Sequence, residues 1–425
     1  MPGKIGARSL VHGAAKTLER VLLFCSAIAT ALLLIQRAYP QSYKGNTNTL
    51  FYAWRTESAD RDTSQTHILL SEQLRLSCTN VLAEGLSFHT YVRALKDFAP
   101  DDSANFERIF RLHNMYAQYS PSRWADVRLG RQYLSLGVAR GSVDGVALRI
   151  RVPRASRLSI FAGLGVSGDS LILKSWSESS LFGGQLASSF FPGTDLSLSF
   201  INRSVRDTNI QQEAGLEARF RLMPGLRPSI GADYSLLSEG LKRIHIGISS
   251  FELDLVSAYI NYTYTKPTFP ENSFFSEFET PGYGRARLGV SYYPKWIASW
   301  SGVYVTSLYE EETSHYVELS ADGDWASIGV GHSFGYGGGR SGVYVSTFYP
   351  VTPRLEIAAG VDYARYRIAA LGSESGTEDD LAAHLGGSFA FLKDMELLSR
   401  IEYLLNEDYE YDIRFLSTLS VGFGR

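Results

Sequence analysis

The sequence contains almost no cysteine: only Cys25 and Cys78 occur in 425 residues. Because Cys25 lies in an apolar run that is predicted to be removed, no internal disulfide and no cysteine-based metal site is expected in the mature chain. The eight histidines are scattered, without a pair at metal-ligand spacing. The glycine run at 335–340 is not followed by a predicted helix, which a phosphate-binding loop requires. We therefore expect no cofactor and no metal.

Long apolar runs are also missing. The most apolar stretch covers residues 21–35, whereas a helix that spans a membrane needs about 20 apolar residues. With a mean hydropathy of -0.09, the chain is not a bundle of transmembrane helices. The charge is not of one sign either, since 41 basic and 44 acidic residues leave a net charge of -3. Nothing in this balance points to nucleic acid as a partner.

The N-terminal segment has the pattern of a secretory signal. The apolar run at 21–35 is preceded by basic residues at Lys4, Arg8, Lys16 and Arg20. A basic region followed by a short apolar core predicts a signal peptide over residues 1–38, with cleavage between 31 and 38. The alternative is an N-terminal membrane anchor. Export without disulfides is typical of a bacterial envelope protein.

Most of the remaining chain alternates between apolar and polar residues. In the stretch VDGVALRIRV, one parity carries Val146, Leu148, Ile150 and Val152, and the other carries Ala147, Arg149 and Arg151. The same alternation recurs at 216–222, 285–292 and 409–423. Successive side chains of a strand point to opposite faces, so each segment predicts a strand with one apolar face. A soluble sandwich would turn that face inward, and a membrane barrel would turn it toward lipid.

The connections between these segments favour the barrel. Short turns rich in proline, glycine or aspartate alternate with mostly longer polar segments, as periplasmic turns and outer loops do. Aromatic residues such as Trp124, Tyr133, Trp300 and Tyr344 gather at predicted strand ends, where barrels place them at the lipid–water interfaces. The sequence predicts an all-β, transmembrane, antiparallel up-and-down β-barrel over 49–425 with about 22 strands, 18 to 22 being acceptable. A short periplasmic segment at 39–48 would precede it, and an even count would put both termini in the periplasm.

One local stretch resembles a known family. In DVRLGRQYLSLGVARGSVDGV, residues 126–146, Gly130, Arg131 and Gln132 would end a strand and Asp144-Gly145 would open the next. This is similar to a hairpin of bacterial outer-membrane porin-like β-barrels. The resemblance implies an outer-membrane location, surrounding lipid and the barrel insertion machinery as partners. Such barrels usually end on an aromatic residue, whereas here Phe423 is followed by Gly424 and Arg425.

If the apolar face meets lipid, several arginines line the lumen. The predicted lumen-lining residues are Arg128, Arg149, Arg151, Arg219, Arg221, Arg285 and Arg287. Fixed charge in a pore selects ions by sign. The alternative is that these arginines pair with carboxylates across the lumen and hold the wall together.

The predicted function is an outer-membrane channel for passive or weakly selective passage of small solutes or ions. A barrel of about 22 strands is too wide to be filled by its own side chains. The longest loop, 265–282, is a candidate constriction or contact loop through Phe269, Phe274, Phe275 and Phe278. The alternative function is a non-conducting structural or surface-interaction barrel that acts through its outer loops.

An enzyme is not expected. His245, His332 and Ser333 are the residues that a hydrolase could use, but no motif positions them. The sequence leaves the solute and the oligomeric state open.

Overall fold

The chain forms one antiparallel sheet of 22 strands. The computed structural model describes residues 42–58, 64–98, 109–152, 156–166, 175–267, 269, 281–294, 298–367, 377–406 and 409–424. Its strands are β1 (Ser42–Ser58), β2 (Ser64–Thr79), β3 (Leu86–Asp97), β4 (Ile109–Ser122), β5 (Ala125–Leu136), β6 (Ala139–Val152), β7 (Ser156–Gly165), β8 (Ser179–Ser188), β9 (Thr194–Val205), β10 (Thr208–Phe220), β11 (Pro228–Ser235), β12 (Gly240–Leu253), β13 (Val256–Thr265), β14 (Tyr283–Tyr292), β15 (Ser299–Leu308), β16 (Thr313–Asp322), β17 (Ala326–Gly335), β18 (Gly339–Thr352), β19 (Leu355–Arg367), β20 (Thr377–Leu392), β21 (Met395–Leu405) and β22 (Tyr409–Gly424).

The sheet closes on itself. Each strand pairs with the next one in sequence, and β1 pairs with β22 from Lys44↔Gly424 to Ser58↔Tyr409. Closure removes the two free edges that an open sheet would expose. The prediction of an antiparallel barrel of about 22 strands is therefore confirmed. No helix in the described part of the chain is long and apolar enough to span a membrane.

The two ends of the barrel differ in their connections. At the end where β1 begins, here called the turn end, the longest connection covers 221–227. At the opposite end, the loop end, connections cover 98–108, 166–178 and 266–282. This asymmetry is typical of outer-membrane barrels, which have short turns on one side and longer loops on the other.

The outward face of the wall is apolar. Residues that are register partners share one face of a sheet, and Leu186, Leu198 and Leu216 form one such row across β8, β9 and β10. Leu198 is 54 % exposed although it is a large apolar side chain. The same outward parity in other strands carries exposed apolar residues, among them Leu129, Val146, Ile160, Ile230, Ile246, Ile260, Leu288, Val330, Val345, Val361, Leu385 and Ile401. A continuous exposed apolar wall is the surface of a barrel that contacts lipid.

The strands begin and end differently from the sequence prediction in several places. β1 begins at Ser42, inside the segment 39–48 that was predicted to precede the barrel. The polar stretch at 203–209, which alternation of apolar and polar residues would assign to a longer loop, contains only a two-residue turn at Arg206 and Asp207, both with positive φ. Such a turn matches the twist of a hairpin. Polar residues near the loop end thus continue the strands beyond the apolar belt, which is why alternating hydrophobicity did not reveal their full length.

The outward apolar face leads to a test of orientation. Leu148 shares the outward parity of Val146, whereas Arg149 faces the lumen, 3.9 Å from Asp126. We expect Leu148→Arg to cost about 2–4 kcal/mol, because it places a charge in the lipid belt. Arg149→Gln should cost far less, because Arg151 stays 2.9 Å from Asp126. Urea unfolding of both variants in lipid vesicles measures the difference, and equal free energies of unfolding would contradict the assigned orientation.

Candidate functional site

The hairpin of β5 and β6 leaves the barrel wall near the loop end. Pairing between β4 and β5 stops at Met115↔Arg131, and pairing between β6 and β7 stops at Val143↔Gly165. Beyond those points β5 and β6 pair only with each other, up to Leu136↔Ala139. We call residues 132–142 the inner hairpin, because it folds into the lumen.

A row of glycines forms the crease at which the hairpin turns inward. Gly130, Gly145 and Gly163 are register partners across β5, β6 and β7. Gly130 has φ +123°, which is unfavourable for a residue with a side chain. A Cβ on Gly163 would lie 2.5 Å from the Asp144 carbonyl oxygen, and one on Gly145 would overlap the Ala162 carbonyl. Side chains at these positions would block the close approach of neighbouring backbones, so the fold needs glycine here.

Apolar packing holds the inner hairpin against the wall. Leu134 and Ala139, with the adjoining Val143, are buried against Phe161 of β7 and Leu181 of β8. Val143 and Ala139 are both 0 % exposed. Burial of each large apolar side chain contributes about 1.5–3 kcal/mol. Phe161 and Leu181 face the lumen, where barrels carry polar residues, so their burial explains why these apolar side chains lie on the inward parity.

The tip of the hairpin reaches two strands further. The Val138 backbone N–H donates a hydrogen bond to the Ser199 hydroxyl of β9 at 3.1 Å. A Cβ on Gly215 of β10 would lie 2.6 Å from Val138 Cγ1. The tip therefore rests on β9 and β10, and the hairpin covers the inner surface of β7 to β9.

A buried ion pair marks the point where the hairpin leaves the wall. The Arg131 Nε and Nη2 atoms each donate to a carboxylate oxygen of Asp144 at 2.7 Å. Arg131 Nη1 also donates to the Leu112 carbonyl of β4 at 3.3 Å. The Leu112 carbonyl lies closer to the loop end than the last residue pair between β4 and β5. The guanidinium therefore replaces a backbone hydrogen bond that β5 would donate if it continued along the wall. Two parallel charge-assisted bonds are a strong, directional contact.

The hairpin corrects the sequence interpretation of the Gly-Arg-Gln and Asp-Gly residues. They were predicted to end one strand and to open the next around a loop. In the structure β5 continues to Leu136 and β6 begins at Ala139, so only two residues connect them. Alternation alone did not separate a wall hairpin from one that bends inward, because the bend depends on glycine contacts between strands.

Some of the predicted lumen arginines are paired with carboxylates. Arg151 contacts Asp126 at 2.9 Å, and Asp126 is 1 % exposed. Arg149 lies 3.9 Å from the same carboxylate, and Arg219 contacts Glu217 at 2.7 Å. Arg221 lies in the turn-end connection 221–227 rather than in a strand. Each of these three paired arginines thus contacts a carboxylate of its own strand or of a neighbouring strand, rather than one across the lumen.

Three predicted arginines have no carboxylate within ion-pair distance in the described part of the chain. Arg285 and Arg287 lie on the inward parity of β14, opposite outward Leu288, and Arg287 lies over the Tyr259 ring at 5.4 Å. Arg128 donates to the Gln118 side-chain oxygen at 2.9 Å and lies over Tyr116. All three side chains lie on the lumen side of the wall.

The register also reveals charged lumen residues that the sequence analysis did not select. Arg75 of β2 lies 4.5 Å from the Tyr91 ring centroid, and Arg93 Nε donates to Ser71 at 3.0 Å. These two arginines were not predicted to line the lumen because the pairing of the first two strands was not clear from the sequence.

The charged residues of the lumen are divided by sign between two parts of the wall. The inward faces of β2 to β7 carry mainly basic residues, namely Arg75, Arg93, Arg111, Arg128, Arg149, Arg151 and Arg157. Those of β16 to β22 carry mainly acidic residues, among them Glu318, Asp322, Glu356, Asp362, Asp380, Glu402 and Asp412.

The predicted contact loop is only partly described. Phe269 lines a cavity of about 410 Å³ together with lumen-facing Arg203, Glu213 and Lys242. Phe274, Phe275 and Phe278 lie outside the described residues. Two aromatic residues predicted at the lipid interface lie elsewhere: Tyr133 is on the inner hairpin, and Tyr344 faces the lumen, where its hydroxyl donates to Glu318 at 3.3 Å.

The residues considered for catalysis do not assemble. His332 and Ser333 are consecutive in β17 and therefore point to opposite faces. His245 faces the lumen, where its ring contacts the hydroxyls of Ser229 at 3.2 Å and Thr263 at 3.3 Å. No group of three metal-binding side chains occurs among the residues that the structure describes.

Comparisons with known proteins support the fold. The translocation pore of the P pilus usher PapC has 9% sequence identity and a TM-score of 0.54, over 90% of this chain and 99% of that chain. Pseudomonas aeruginosa OpdQ has 11% identity and a TM-score of 0.44, over 90% and 99%. Acinetobacter baumannii OccAB4 has 9% identity and a TM-score of 0.43, over 91% and 99%. No protein-family description and no curated protein matches the sequence. At these identities the likeness to the usher pore shows a shared barrel fold.

Proposed function

We propose that the protein is a channel of the bacterial outer membrane that passes small solutes or ions, with the inner hairpin as its constriction. Both termini would lie in the periplasm, at the turn end. A barrel of this strand number encloses more space than its own side chains fill. The apolar exterior requires lipid around it, and insertion would require the barrel insertion machinery. An enzymatic role and a nucleic-acid partner form no part of the proposal.

The inner hairpin is the observation that carries this proposal. It narrows the lumen from one side, and its apolar face packs against the apolar side chains of the wall. Its other face presents Tyr133, which is 60 % exposed, and Arg140. A solute that passes the barrel would meet these side chains and Arg128, Arg285 and Arg287, which have no carboxylate partner among the described residues. Fixed charge in a wet pore acts on passing ions, so these arginines favour anions locally, beside the carboxylates on the inward faces of β16 to β22.

Conductance of the purified protein in planar bilayers tests the proposal. We expect discrete steps of current, because the polar lumen is wider than the hairpin that it contains. The matched control is the same preparation after heat unfolding, which should give no steps. A correctly folded sample that never conducts would contradict the channel and would favour the surface-interaction barrel.

A further inference from the structure

A shallow, open cavity with several polar side chains lies on the lipid-facing side of the barrel, away from the lumen. It has a volume of about 460 Å³ and is lined by His332, Phe334, Ser341, Arg365, Arg367 and Thr377, among others. The proposed channel does not use it.

The register places these side chains in two short rows. His332, Ser341 and Arg365 are successive partners across β17, β18 and β19. Arg367 pairs with Thr377 of β20, two residues closer to the loop end. All share the outward parity of the apolar belt, so polar side chains directly continue an apolar strip that includes Val330, Val343 and Val361.

Aromatic rings border the cavity. Phe334 stacks with His332 at 5.5 Å and with His315 at 4.9 Å between ring centroids. The His315 ring in turn contacts the Tyr304 hydroxyl at 2.8 Å. Rings with polar partners are typical of the level at which lipid headgroups meet the acyl chains. The cavity therefore lies at headgroup depth.

The charges in the cavity favour an anion. The carboxylate of Asp379 forms an ion pair with Arg365, whose Nε lies 3.1 Å away, and accepts a hydrogen bond from the Tyr363 hydroxyl at 2.7 Å. It is the single carboxylate that contacts either guanidinium in the described part of the chain, because Arg367 has no ion pair there. The Ser341 hydroxyl lies 2.8 Å from His332 Nδ1. Two guanidinium groups and one hydroxyl thus line the cavity, and the one carboxylate beside them, that of Asp379, also accepts a hydrogen bond from Tyr363.

We propose that this cavity binds the phosphate group of a membrane lipid whose acyl chains lie along the strip below it. Guanidinium groups match the geometry of phosphate oxygens and form paired charge-assisted hydrogen bonds with them. The occupant is a lipid rather than free phosphate because the polar groups lie on the lipid-facing wall and the apolar strip continues from them. The lipid site does not depend on whether the lumen conducts.

Native mass spectrometry of the detergent-purified barrel with added dilauroyl phosphatidic acid tests the site. The double variant Arg365→Gln with Arg367→Gln should retain the lipid about tenfold less than the unmodified protein, since both charged donors are lost. Arg354→Gln, at an exposed turn-end position, is the matched control and should retain it fully. Asp379→Asn should increase retention, because it removes the competing carboxylate while keeping the shape of the side chain.

The outcomes that would overturn the proposal are distinct. Equal retention by the double variant and by the Arg354→Gln control would show that phosphatidic acid binds elsewhere. Displacement of the lipid by an equal concentration of inorganic phosphate would show a site for the free anion. A folded barrel changes its mobility on a gel when it is heated, so a variant that lacks this change is unfolded. If the double variant is unfolded, the single variant Arg367→Gln replaces it, because this substitution breaks no ion pair within the described residues. Arg367→Gln should still weaken retention of the lipid.

Discussion

Excision of the inner hairpin is expected to raise the single-channel conductance several-fold. Replacement of residues 134–141 by an Asn-Gly turn would join Tyr133 and Ser142, which are register partners, and Asn-Gly suits a two-residue hairpin. The glycine crease and the Arg131–Asp144 pair would remain. The lumen would lose the obstruction that now covers β7 to β9, and ions would pass through a wider section.

The control for this excision changes the hairpin surface without removing the hairpin. Tyr133→Ala truncates an exposed side chain, so the backbone obstruction stays and conductance should change little. Both proteins are first checked for folding by heat-induced mobility on gels. If the excised, folded barrel conducts like the unmodified one, the hairpin does not limit passage.

Reversal of the charges of Arg285 and Arg287 in β14 is expected to shift the ion preference toward cations. Arg285→Glu with Arg287→Glu replaces two positive charges on the lumen wall by two negative ones, and no carboxylate in the described part of the chain neutralises the originals. Interactions between exposed charges fade over about 8–10 Å at physiological salt, so local lumen charges act on ions more than the distant loops do. The reversal potential in a potassium chloride gradient measures the change.

The paired arginine of β10 supplies the matched comparison. Arg219 is neutralised by Glu217, and Arg221 lies in the turn-end connection. Arg219→Glu with Arg221→Glu alters the same number of charges, but it should shift the reversal potential less. A larger shift from this pair than from the β14 pair would mean that the turn-end mouth, rather than the mid-barrel wall, controls ion preference.

The sequence was sufficient to predict the barrel because its physical cause is local. Alternation of apolar and polar residues follows from the geometry of a strand next to lipid, so the strand count and the outward position of Val146 could be read from the chain. The extra strand length at Arg206 and Asp207 could not, because residues above the lipid belt need no apolar face.

The inner hairpin could not be read in the same way. Its bend depends on the alignment of Gly130, Gly145 and Gly163, which becomes visible only when the register of three strands is known. One signal was present in the sequence: Phe161 and Leu181 are apolar on the parity that otherwise carries polar residues. A strand that is apolar on both faces needs something to cover the inner one, and here the hairpin does so.

The position of the hairpin inside the barrel can be measured directly by disulfide cross-linking. In a Cys78→Ser background, Val138→Cys combined with Ser199→Cys brings together two positions that now share a 3.1 Å hydrogen bond. Disulfides form where the Cβ atoms lie about 3.5–4.5 Å apart, so mild oxidation should close the pair and change the mobility of the folded band. Val138→Cys with Leu198→Cys, whose side chain points to lipid, should not cross-link. Cross-linking to position 198 but not to position 199 would place the hairpin outside the lumen and would contradict the constriction.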